Sequence, residues 1–235
     1  MEHVPPKCLF PERKDLFGED LRRSLITVPS GHQHNMCKSR DDEFLMVCLT
    51  SAVGNNGLGF VQTNTKVRRA VERTSGRLLQ ASVLDAEPAM LQTPDGTRFP
   101  ILVGRADVPR LCRALEHVAR GLYLYVCGER FEGRCHVMPE HLRYVGEPGL
   151  GVIKAIAALM IDQEVGDWPS HGDNPKVFHA ELGPVDQYGM RALVMTFYRS
   201  TRVFVAFQPT GVSMPHRTLG EATPDDPIEI GLRFD

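Results

Sequence analysis

An α+β fold is expected for this 235-residue chain, on three observations. From Asp107 to Val126 apolar residues recur at three- and four-residue spacing, the period of a helix with one buried face. Lys176–Leu182, Met190–Tyr198 and Arg202–Gln208 alternate apolar and polar residues, the period of antiparallel strands. The order of the remaining elements predicts a small module over residues 1–81, followed by a mixed helix and antiparallel-strand domain over residues 82–235.

Taken in order, residues 1–30 read as loop and short strand. Pro5 and Pro6 forbid a helix there, and Leu25–Val28 is a β-prone run closed by Pro29-Ser30-Gly31. Ser39 or Asp41 is expected to cap a helix through Phe44, Leu45, Val47, Cys48 and Leu49, stopped by Gly54-Asn55-Asn56-Gly57. A second helix is expected over Thr65–Gln80. Met90–Thr93 and Arg98–Val103 flank Pro94-Asp95-Gly96-Thr97, whose Asp-Gly pair predicts a hairpin. In the 107–126 helix Leu111, Leu115, Val118, Leu122 and Val126 should be buried, and Gly128 should end it. Leu150–Ile161 reads as a further apolar helix or pair of turns, and the alternation of Ile228, Ile230, Leu232 and Phe234 as a last strand.

The net charge of −2 argues against a dedicated nucleic-acid coat or a membrane-surface protein. It is unevenly spread: residues 1–80 carry 12 Lys/Arg against 9 Asp/Glu, a net of +3, and residues 81–235 carry 15 against 20, a net of −5. None of the six cysteines forms a Cys-x-x-Cys pair. No secretory leader and no membrane-length apolar run is read, so the expectation is a reduced cytoplasmic compartment without a membrane partner.

The chemistry-bearing residues cluster near the start. Glu2 sets a hard carboxylate oxygen, suited to Mg²⁺ or Mn²⁺, beside the His3 imidazole, which can take a proton from water near neutral pH. Asn35 offers a second oxygen ligand. The structural alternative is that His32, Gln33 and His34 form a polar loop preceding a helix.

Glu-His-Val-Pro-Pro-Lys at 2–7, Leu-Ile-Thr-Val-Pro-Ser at 25–30, His34-Asn35 and Lys-Ser-Arg-Asp-Asp-Glu at 38–43 resemble the bacterial HNH-endonuclease-like family. Arg120-Gly121-Leu122-Tyr123 and Asn174-Pro175-Lys176-Val177-Phe178 extend the resemblance over most of the chain. It implies a ββα-metal finger that hydrolyses DNA phosphodiesters, with Glu2 and Asn35 as metal ligands, His34 as a zinc ligand and His3 as general base. Family members carry an upstream Cys-x-x-Cys pair and a Cys where Gly31 stands, so only one of the four structural zinc ligands, His34, is present here. Structural Zn²⁺ is therefore expected to be lost, since Cys8 and Cys37 lie outside the family spacing. Either a start codon lies upstream or the finger is degenerate. With His3 near an unanchored terminus, little or no DNA cutting is expected, and the alternative is a non-catalytic binding protein on a relic finger.

Lys66, Arg68, Arg69 and Arg73, with Arg77, form a basic helix face. It reads either as a track for DNA phosphates or as a solvated face, the commoner origin of such a run. Gly54–Gly59 lacks the preceding strand and the following Lys-Ser/Thr of a phosphate loop.

Overall fold

A computed structural model describes residues 1–29, 35–144, 158–159, 161–212 and 228–233; for 35–39, 143–144 and 228–233 the backbone alone is described. The chain is α+β. Two short strands, β1 (Glu2–His3) and β2 (Thr27–Val28), pair antiparallel and lead to helix α1 (Asn35–Thr50). Helical turns follow: α2 (Gly57–Gln62), a wide π-type turn (Thr63–Val67), α3 (Arg68–Arg73) and α4 (Arg77–Ser82). Then come β3 (Leu84–Gln92), β4 (Arg98–Arg105), α5 (Val108–Cys127), β5 (Gly133–Pro139) and β6 (Arg143–Tyr144). The chain continues with β7 (Ser170–Asn174), β8 (Phe178–Val185), β9 (Arg191–Phe197), β10 (Thr201–Pro209) and β11 (Ile228–Arg233).

Two larger antiparallel sheets result, ordered β5-β10-β9-β8-β7 and β3-β4-β11-β6. The Asp-Gly hairpin joins β3 and β4 as expected: Thr93 N–H donates to Thr97 O, and Gly96 has φ 86°. β11 pairs with β4 and β6, so the late alternating run is an added strand.

α5 matches its sequence signal. The Asp107 carboxylate accepts from Arg110 N–H at its start, and Gly128, at φ 77°, closes it. Leu111, Ala114, Leu115, Val118, Ala119 and Leu122 are buried, while Val126 is only partly so. α1 is apolar on every side from Phe44 to Leu49, and all six side chains are buried. One core runs from Val4, Leu9 and Phe10 through α1 and α5 to Phe197, Val205 and Phe207. Side chains from both sides of residues 81/82 share it.

Three expectations need correction. Ser39 and Asp41 lie inside α1, which begins at Asn35, and Asp41 instead binds Arg110 Nε at 2.8 Å. The helix expected at Thr65–Gln80 is already underway at Gly57, where Asn56 Oδ1 caps it by accepting from Leu58 and Gly59 N–H. It breaks at Ser75-Gly76, whose φ values of 51° and 82° leave the right-handed helix. The strand expected from Lys176 starts at Phe178, after a turn at Lys176-Val177. The expected Leu150–Ile161 helix lies mostly outside the described residues.

Candidate functional site

The first strand is tied down on both flanks. Glu2 faces Val28 and His3 faces Thr27 across the β1–β2 ladder, and Val4 N–H donates to Ile26 O at 2.9 Å. The Val4 side chain is buried in the common core against α5. The expectation of an unanchored His3 is thus corrected: burial of Val4 and pairing with β2 fix the backbone at residues 2–4.

The turn after β1, Lys7–Leu9, is held by side chains from distant elements. Cys8 O accepts from Gln62 Nε2 at 2.7 Å and from Lys66 Nζ at 3.3 Å. Leu9 O accepts the buried Tyr198 hydroxyl. Phe10 O accepts from Arg22 Nε and Nη2 at 3.0 and 2.8 Å. Three successive carbonyls are therefore paired, as buried backbone acceptors must be.

His3 Nδ1 is buried and has no hydrogen-bond partner. Burial lowers the imidazole pKa below its ordinary 6.5, helped by the positive charges of Lys7 and the terminal amine. The ring is thereby biased to its neutral form, the form that accepts a proton. Glu2 precedes it on β1, so the strand pleat sends the two side chains to opposite faces. Asn35 opens α1, but its side chain lies outside the described residues, as does the whole of His34. Among the described residues no three His, Cys, Asp or Glu side chains form a metal-holding group.

Cys8 Sγ–H donates to Asp42 O at 3.3 Å, and burial pushes its thiol pKa up to about 12. The side chain of Cys37 lies outside the described residues.

The basic helix face is largely engaged within the molecule. Arg69 pairs with Asp15 at 2.7 Å and with Glu12 at 3.5 Å, Arg68 with Glu72 at 3.0 Å, and Arg73 with Glu43 at 2.6 Å. Lys66 lies 3.8 Å from Glu12, and burial lowers its pKa. Arg77 Nε donates to Thr74 O. These cations brace the loop at residues 7–20 and the helices beside it.

Sequence reading missed Gln62, Tyr198 and Arg22, which hold the turn after β1. The Tyr198–Leu9 and Gln62–Cys8 bonds span 189 and 54 residues, and no local pattern announces such partners. No helix among the described residues is long and apolar enough to cross a membrane. Comparison with known proteins finds no matching family model, no matching curated protein and no matching solved structure.

Proposed function

We propose that the chain is a metal-dependent phosphodiesterase of the HNH type acting on DNA, with His3 as general base and Glu2 and Asn35 as the residues that would hold Mg²⁺ or Mn²⁺. The observation that carries this reading is His3 itself. It is a half-buried, neutral-biased imidazole whose buried Nδ1 has no partner, on a strand whose pairing and order β1–β2–α1 suit a ββα finger. In the proposed reaction the neutral imidazole takes a proton from a substrate water. The water oxygen attacks phosphorus, one P–O bond forming as the bond to the departing ester oxygen breaks. When bound, the divalent ion supplies positive charge for the developing oxyanion. Structural Zn²⁺ has no place in this reading, because the anchoring of β1 on the common core takes over the role of a zinc knuckle. A reducing cytoplasm suits the five described cysteines, all of them free thiols.

A second reading, a non-catalytic interaction protein on a relic finger, is favoured by the strand pleat that turns Glu2 away from His3, and by the internal pairing of Arg68, Arg69 and Arg73, which leaves little free charge for phosphates on that face. Nicking of supercoiled plasmid with Mn²⁺ or Mg²⁺ separates the two. The first reading expects ion-dependent nicking that falls roughly 10²–10⁴-fold in His3→Ala, the usual contribution of a general base. No nicking by the parent, or nicking indifferent to His3→Ala, favours the second.

A further inference from the structure

We infer that Gly121, in the Arg-Gly-Leu-Tyr segment of α5, is a positioning residue that seats the His3 strand; its catalytic consequence rests on the function proposed above. A Cβ built on Gly121 would stand 2.7 Å from Val4 Cγ2 and 3.1 Å from Val4 Cγ1. Carbon atoms pack at about 3.5–4.0 Å, so any larger residue must displace Val4 by about 1 Å. Glycine is disfavoured inside a helix, and this one lies well inside a 20-residue helix. The close approach of Val4 accounts for it.

α5 has little room to retreat from the clash. The Arg120 guanidinium donates to Phe131 O at 3.1 Å and to Gly133 O at 2.8 Å. The Tyr123 ring packs against Phe131 and Phe207, with centroids 5.1 and 5.0 Å away. The displacement therefore passes to β1. Val4 directly follows His3, and its N–H bond to Ile26 O extends the two-residue β1–β2 ladder. A 1 Å misplacement of a reacting group costs about 100-fold in rate.

Gly121→Ala, Val4→Ala and the double variant, each in the full chain, test this. Three quantities are read: thermal melting, exchange of the Val4 amide against strand amides of β10, and Mn²⁺-dependent plasmid nicking. In Gly121→Ala the Val4 amide should exchange at least about tenfold faster while β10 amides hold, as local opening allows. The nicking kcat should fall roughly 100-fold with KM for DNA little changed. Val4→Ala removes both methyls that clash, so the double variant should recover both readouts relative to Gly121→Ala. Unchanged Val4 exchange in Gly121→Ala, or a double variant no better than the single, would overturn the inference. If none of the four proteins nicks DNA, the proposed function falls, while the exchange pattern and its rescue still decide whether Gly121 seats the strand.

Discussion

His179 and Glu181 lie two residues apart on β8, so the pleat sets both side chains on the sheet face opposite the buried Phe178, Ala180 and Leu182. Their Nε2 and Oε1 atoms are 3.1 Å apart. The hydrogen bond to Glu181 raises the His179 pKa above 6.5, outweighing the opposing effect of burial. A raised folded-state pKa means that the charged pair stabilises the protein fully below about pH 6.5, and that this contribution fades as pH rises through the folded value. The melting temperature of the parent should therefore exceed that of Glu181→Gln most between about pH 5 and 6.5, and the gap should narrow toward about pH 8.5. A gap independent of pH across that range would show that the pair does not titrate as argued. The alternation over Lys176–Leu182 puts His179 and Glu181 on one strand face, but nothing in it marks them as a bonded pair.

α5 shows what local pattern can supply at the scale of an element. Its cap, its apolar stripe and its terminal glycine all lie within the helix or one residue beyond it, so they could be read directly. Leu115 and Leu122 are buried to within 1% of full enclosure, and Ala at either position should cost about 2–5 kcal/mol. For a chain of this size that lowers the melting temperature by roughly 2–4 °C per kcal/mol. A melt matching the parent would remove the helix from the core. Elements whose identity rests on distant partners were less legible. β7, Ser-His-Gly-Asp-Asn, has no apolar alternation and is a strand only because it pairs with the edge of β8, with an irregular register between His171 and Asn174. The helical stretch before residue 82 was misplaced because the wide turn at Thr63–Val67 shifts the period and the left-handed Ser75-Gly76 pair interrupts it.

At the scale of the whole molecule, the residues of the candidate site were legible as chemical types, but what holds them was not. Glu2, His3 and Asn35 stand out in the sequence by kind. The supports of the first strand come from Gly121 on α5, Gln62 and Lys66 near the π-type turn, and Tyr198 after β9. A continuous core joins these elements, so the two segments divided at residues 81 and 82 act on one another through packed side chains. This support holds the backbone of residues 2–4, and with it His3, in a defined place. The central claim, that this unit is a divalent-ion site for phosphodiester hydrolysis, is tested most directly by following backbone amide signals as Mn²⁺ is added in small amounts, since a bound paramagnetic ion broadens its neighbours first. The account predicts early broadening at Glu2, His3, Val28 and Asn35, abolished by Glu2→Gln. Broadening that begins elsewhere, for instance at the exposed Glu164 and Asp167, or that is unchanged by Glu2→Gln, would contradict it.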